Sequence, residues 1–249
     1  MPKLESSNTG YTDTMIEGAL PLLYQDTDYV AVHKPPGLLV HRSWISQDED
    51  FLLQRLRDQI GQRVYPVHRL DRATSGVIFF GLSSEAARRL QEVFESGQAA
   101  KAYRAVVRGW LEEEVLVDHA LDDRESGKGP RPARTRLTPL ATVEIDAAVD
   151  RYSTARYALV EAKPLTGRRH QIRRHLKHVD HPIVGDTTWG KGTHNRFFRE
   201  RFGVHRLLLV SWEARFPHPL TGKPISVHAA RDREWDRLMD ALGWADASD

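Results

Sequence analysis

An α+β fold is the class that this sequence predicts, and three observations carry it. Val77-Ile78-Phe79-Phe80 is an unbroken apolar run of strand length directly behind Gly76. From Lys101 to Gly109, strict alternation places Tyr103, Ala105 and Val107 on one face and Arg104 and Arg108 on the other. Two segments repeat apolar residues at helical spacing: Ala86, Leu90, Val93 and Phe94 in one, Trp235, Leu238, Met239 and Leu242 in the other. Several strands thus lie between two main helices.

Residues 1–20 are polar and mixed, and read as a loosely held tail or first strand; residues 21–249 read as one domain. Asp28 to Lys34 is a strand that runs into the turn cluster Pro35-Pro36-Gly37. Phe51 to Ile60 is a short helix with Leu52, Leu53, Leu56 and Ile60 on one side. The strand at 77–80 is followed by Ser83-Ser84-Glu85, a helix start, and Gly97 stops that helix. Val115 to Leu121 and Arg156 to Glu161 read as strands, with a Gly/Pro/Arg-rich loop from Asp122 to Pro132 between them. Arg206 to Val210 and Ile225 to His228 are further strands, and Asp232 opens the closing helix. No internal repeat or interdomain linker stands out.

At 249 residues the chain can bury a substantial core. It has no cysteine, which excludes disulfides, thiolate catalysis and cysteine-ligated metal centres. No signal-like or membrane-spanning apolar stretch is visible, so a cytoplasmic protein without membrane contact is expected. The net charge of +2 is too small to argue for nucleic acid, but its distribution is uneven. Arg168, Arg169, Arg173, Arg174 and Lys177 fall in one stretch without an acid. Arg124, Lys128, Arg131, Arg134 and Arg136 form a second, opposed only by Glu125, while Asp240, Asp246 and Asp249 sit at the far C-terminus. Such patches are the footprint of a phosphate-backbone binder.

Three segments concentrate the chemistry. In His68-Arg69-Leu70-Asp71-Arg72-Ala73-Thr74-Ser75-Gly76, a carboxylate follows a His-Arg pair on a tight loop at the mouth of a strand. Asp71 either organises that turn with an arginine or is a catalytic group placed by a rigid scaffold. In Lys101-Ala102-Tyr103-Arg104-Ala105-Val106-Val107-Arg108-Gly109, Tyr103 is either core or a stacking ring with a usable hydroxyl. The third, Leu165-Thr166-Gly167-Arg168-Arg169-His170-Gln171-Ile172-Arg173-Arg174-His175, is either a solvated basic helix face or a source of a paired guanidinium. A guanidinium beside a partly buried carboxylate holds it ionised and fixes its orientation.

In this order the segments resemble the signature elements of RluA-type pseudouridine synthases: H-R-L-D-x-x-[ST]-[SG]-G, K-x-Y-x-A-x-V-x-G and T-G-R-x-H-Q-[IL]-R-x-H. The likeness continues through His181-Pro182-Ile183-Val184-Gly185-Asp186, and His33-Lys34-Pro35-Pro36-Gly37 resembles N-K-P-x-G with His33 in place of Asn. It covers roughly residues 20–245 and implies a mixed, largely antiparallel sheet with flanking helices around a central catalytic cleft. Many members carry an additional N-terminal RNA-binding module; with the first strand near Leu22, none is expected here.

The resemblance implies isomerisation of a uridine within RNA. The C1′–N1 bond breaks, the uracil turns, and C5 joins C1′, with no cofactor and no metal required. Asp71 would be the indispensable nucleophile or base, toward sugar or pyrimidine. Tyr103 would stack on the base and assist a proton transfer, and Arg173 would ion-pair with Asp71. Arg69 would enter the RNA stack in place of the extruded base, a task suited to a planar cation. His68, Arg131, Arg134, Arg168 and Arg174 complete the expected RNA contacts.

Other features are weighed against this. His170, His175, His178 and His181 lie close enough to suggest a metal, yet five cations crowd them and the nearest acid is Asp180, so none is expected. A catalytically inactive RNA-binding module would not need the Asp–Tyr–Arg set. A hydrolase with an aspartate nucleophile would want a second carboxylate or a metal, and the three segments hold no other acid. The likeness is strongest to members that modify uridine 65 in the T-stem of tRNA. It rests on Val40-His41-Arg42-Ser43-Trp44, Gly81-Leu82-Ser83-Ser84-Glu85-Ala86, Gly190, Asn195-Arg196 and Phe202-Gly203. Ribosomal RNA is the competing target, and a monomer is expected. One departure stands out: where related enzymes read R-L-x-L-H-A, this chain has Arg206-Leu207-Leu208-Leu209-Val210-Ser211. Valine cannot make a histidine's hydrogen bonds.

Overall fold

A computed structural model of the chain describes residues 18–42, 48–123, 128–230 and 232–247. Most of the expected tail, together with Ser43, Trp44, Arg124, Glu125 and Asp249, lies outside them. The described residues build an α+β fold on one large sheet. Its path begins with β1 (Leu22–Gln25), β2 (Tyr29–Lys34) and β4 (Ser75–Gly81), continues through β11 (Leu209–Pro217), β5 (Ala100–Arg108) and β10 (Ala155–Pro164), and ends with β9 (Arg134–Ile145) and β6 (Val115–Asp118). β12 (Pro224–His228) adds to β11 and β3 (Tyr65–Pro66) to β4, while β7 (Leu121–Asp123) and β8 (Lys128–Arg131) form a separate hairpin. Among the described strands every pairing is antiparallel except that of β11 with β4, which puts a parallel seam near the middle of the sheet.

Alternation along β2 and β4 feeds two cores at once. Ala31, Val77 and Phe79 face α2 (Ser84–Glu95) through Ala86, Leu90 and Val93. Val30, Val32, Ile78 and Phe80 face the other way, onto Leu52 and Leu56 of α1 (Leu52–Ile60). Full burial of a phenylalanine contributes about 2 kcal/mol. With Phe79 and Phe80 both fully buried, the strand behind the Asp71 loop is a fixed base. A third core lies under α3 (Gln171–His178), α4 (Gly192–Phe202) and α5 (Arg233–Ala241), and includes Leu159, Leu176, Phe198 and Trp235. Among the described residues, no helix is long and apolar enough to cross a membrane.

Several boundaries differ from expectation. The strand expected at 206–210 begins at Leu209 and runs on to Pro217. Arg206 is drawn out of it, bonded to Ser75 Oγ at 3.3 Å and ion-paired with Asp232 at 2.7 Å. The expected 115–121 strand is two, β6 and β7; His119 between them donates its N–H to the Ala133 carbonyl at 3.1 Å, beside the last β6–β9 pair, Asp118 with Arg134. Residues 134–145, whose sequence pattern announces no element, form the twelve-residue β9.

Candidate active site

The loop before β4 is tied down at several points. Within it, Thr74 N–H donates to the Asp71 carbonyl at 3.1 Å. Gly37 N–H donates to the Arg72 carbonyl at 2.9 Å, and Arg72 Nε returns a bond to the Gly37 carbonyl at 2.9 Å. Behind it, Lys34 is fully buried, and its ammonium donates to the carbonyls of Pro35, Leu38 and Arg72 at 2.8, 2.8 and 3.0 Å. Burial pushes its pKa down to about 7, with the nearby Asp71 opposing. Gly76 follows with φ of 105°, and a Cβ there would overlap the Ser211 carbonyl oxygen. Only glycine lets the loop enter the parallel seam so closely.

The structure brings Asp71 and Arg173 together. Arg173, on α3, donates from a terminal nitrogen to an Asp71 carboxylate oxygen at 3.1 Å. Its main partner is a residue to which the sequence assigned no role: Asp186 takes two parallel bonds from the same guanidinium, at 2.7 and 2.8 Å. Burial disfavours the Arg173 cation, but the Asp186 bonds outweigh it and push its pKa up. Asp186 is held low despite its own burial, by Arg173 and by the N–H groups of Trp189 and Thr188. Asn195 braces this turn, accepting from Gly185 N–H at 2.8 Å and donating to the Asp186 carbonyl at 2.9 Å. The stretch Ile183–Asp186 was legible as a likeness, but no pattern within it showed that its acid orients Arg173.

Tyr103 sits on β5 opposite Ser211 of β11, half-buried, with its hydroxyl hydrogen-bonded to Ser211. Burial pushes that hydroxyl up to about 12; the Ser211 bond opposes the shift and the Asp71 charge adds to it. Tyr103 is therefore neutral at physiological pH, and its environment senses Asp71. Val210 is buried between Ser75 and Arg104 in the ladder, so the valine in place of histidine is met by packing, and its neighbour Ser211 supplies the polar contact. His33 accepts the N–H of Ala230 at 3.1 Å, a specific task for the residue that replaces Asn.

The expected RNA contacts divide. Arg69 is exposed next to Asp71. Arg131 and Arg134 are exposed on the β8–β9 turn, and Arg134 pairs with Asp118 at 3.4 Å. That turn is knitted to the start of α3: Arg168 Nε donates to the Pro132 carbonyl at 3.1 Å and Gln171 Nε2 to the Arg134 carbonyl at 2.9 Å. The β8–β9 turn and the start of α3 thus lie side by side. His68 and Arg174 are placed differently. His68 stacks on Phe94 at 4.8 Å and accepts the Phe79 N–H at 3.2 Å; burial pushes its pKa down to about 3, so it supports the loop as a neutral ring. Arg174 is bonded to the Asp122 carbonyl at 2.8 Å and to its carboxylate. The 168–177 stretch is therefore not a purely solvated basic face, because acids distant in sequence meet Arg173 and Arg174.

The histidines of that region do not converge. His175 is buried between Thr135 Oγ1 at 2.9 Å and the His119 carbonyl at 3.0 Å. His178 stacks on His119 at 3.8 Å, and His181 contacts the Arg108 carbonyl at 3.1 Å. His170 alone among them faces Asp71, with Nε2 3.8 Å from its carboxylate. The arrangement offers one carboxylate oriented by a guanidinium, beside a neutral phenol and an exposed arginine. That is a set for nucleophilic or base chemistry on a stacked planar group.

Residues 28–178 match the family model described as RNA pseudouridylate synthase. The chain is 47% identical over 238 residues to tRNA pseudouridine synthase C of Vibrio cholerae serotype O1, covering 92% of this chain and 98% of that one. It is 48% identical over 235 residues to the protein of the same name from Vibrio vulnificus, covering 90% and 96%. Among solved structures, human RNA Pseudouridylate Synthase Domain Containing 1 superposes with a TM-score of 0.68 at 25% identity, over 90% of this chain and 94% of that chain.

Proposed function

The chain belongs to the RNA pseudouridylate synthase family, and from that premise we propose that its substrate is tRNA, at uridine 65 of the T-stem. It is an RNA pseudouridine synthase, an isomerase that acts on uridine within RNA. The observation that carries the chemical reading is the Arg173–Asp71 contact at 3.1 Å on a loop anchored by buried strands. Asp71 is the reacting carboxylate, acting on the sugar or on the pyrimidine. Arg173 holds it in place through that contact, and Tyr103 stacks on the base and lends its hydroxyl to a proton transfer.

A stem target adds a demand. The enzyme must open a duplex, at a cost of a few kcal/mol in stacking and pairing. The exposed guanidinium of Arg69 is suited to fill the space left by the extruded base, while Arg131, Arg134 and Arg168 grip phosphates on the surface shared by α3 and the β8–β9 turn. The name of the Vibrio relatives supports tRNA over ribosomal RNA, and the same reading puts the protein in the cytoplasm with its RNA. The test is a pseudouridine map of total RNA from cells with and without the gene. Loss of the mark at tRNA position 65 supports the proposal. Loss only at a ribosomal site overturns the substrate and leaves the chemistry standing.

A further inference from the structure

His170 has no part in the chemistry assigned to Asp71, Arg173 and Tyr103, and its geometry is unusual. Its φ is 53°, a left-handed conformation seldom adopted by a side-chain-bearing residue. It stands at the N-cap of α3 without capping it. Instead, Nδ1 accepts the indole N–H of Trp189 at 3.3 Å. Nε2 lies 3.8 Å from the Asp71 oxygen that Arg173 also holds. An indole nitrogen can only donate, so Nδ1 must be unprotonated and the ring proton resides on Nε2, facing Asp71.

We propose that His170 is a positioning residue for Asp71, held by Trp189 as a neutral ring whose Nε2–H faces the carboxylate. This rests on the reading of Asp71 as the reacting carboxylate. Asp186 unites the parts: it binds Arg173 through its side chain and the Trp189 N–H at 2.9 Å, so one buried acid places both groups that face Asp71. The Arg174 guanidinium lies 5.5 Å from the centre of the Trp189 ring system and covers it. The charges around His170 are Asp71 and Asp186, which favour its protonation, and Arg173 and Arg169, which oppose it. Burial is the largest influence and holds the ring below its ordinary value. A protonated His170 would set a second cation against Asp71 and restrain the carboxylate from reacting. A neutral donor orients it without that restraint.

Trp189→Phe keeps an aromatic ring and removes the donor. Protonating Nδ1 then no longer breaks a hydrogen bond, so the pKa of His170 rises, by about half a unit or more. The measurement is ¹⁵N imidazole NMR of the full chain across pH, with the His170 resonances assigned by their loss in His170→Asn, a substitution that tolerates the left-handed backbone. We expect the Nε2–H tautomer in the wild type, a titration below about pH 6.5 and a higher midpoint in Trp189→Phe. The acid limb of kcat should move up in pH by the same amount. A histidine that only packs would not move that limb. An Nδ1–H tautomer, a midpoint unmoved in Trp189→Phe, or an acid limb that does not move with the midpoint overturns the proposal. Absence of isomerisation by the wild type overturns the Asp71 reading and this role with it. That failure is recognised separately, because the tautomer is read without turnover.

Discussion

Arg173 is shared unequally between two carboxylates. Asp186, fully buried, takes two of its bonds, and Asp71, a quarter exposed, takes one. The buried pair is the anchor and the Asp71 contact is the one free to change during a reaction. Removing one partner of a buried ion pair costs about 3–5 kcal/mol, because the other charge is left uncompensated. Asp186→Asn should therefore lower unfolding free energy by about that amount in urea titrations. It should depress turnover as well, by loosening the guanidinium that Asp186, itself fully buried, holds against Asp71. Arg173→Met should cripple turnover; full activity in that variant would show that Asp71 needs no guanidinium. The Arg173–Asp71 pairing was legible from motif resemblance. The dominance of Asp186 was not, because nothing in local sequence says which of two acids a guanidinium prefers. The placement of His68 was hidden for a related reason: whether a histidine beside an arginine faces solvent or a phenylalanine depends on packing of α2 against the loop.

At the level of elements, the site sits on the parallel seam between β4 and β11, where the Asp71 loop enters and Tyr103 of the adjacent β5 pairs with Ser211. Gly76→Ala would drive a Cβ against the Ser211 carbonyl in a backbone conformation that alanine disfavours. It should destabilise the protein by about 2 kcal/mol or more, read as a lower Tm. An unchanged Tm would mean that the seam has room to open around a methyl group. Strands β2, β4 and β5 and helices α1, α2 and α5 were legible because their apolar periods are clean. β9 was not. Arg134, Thr135, Arg136 and Leu137 alternate exposed and buried, but the alternation lapses at Thr138 and Pro139, where the register to β10 shifts, and the rest of the strand is held by its pairing with β10. α4 was missed because it begins at Gly192 and buries only His194 and Phe198 in eleven residues, too narrow a stripe to announce a helix.

Over the whole molecule, acidic pH and salt act on different groups. Burial holds His33 and His194 down at about 4, against an ordinary 6.5. Between those values the unfolded chain binds protons that the folded chain does not, so stability rises with pH across this window and is lost on acidification. Each histidine contributes a slope of about 1 kcal/mol per pH unit at most, and chemical denaturation at about pH 7, 6 and 5 should show the loss. Salt should act on RNA binding. Reversing the charges of Arg131 and Arg134 should flatten the logarithmic salt dependence of affinity by roughly one unit for each phosphate contact removed. A slope unchanged by both substitutions would place that turn away from RNA. The central claim, that Asp71 performs the isomerisation, is tested most directly by tritium release from RNA labelled at C5 of uridine, with wild type and Asp71→Asn compared. The exchange of N1 for C5 at the sugar frees the C5 hydrogen, so the wild type should release tritium in proportion to pseudouridine formed. Asp71→Asn is nearly isosteric and should release none while binding the RNA with similar affinity. Sustained release by purified Asp71→Asn, free of deamidation, would contradict the account.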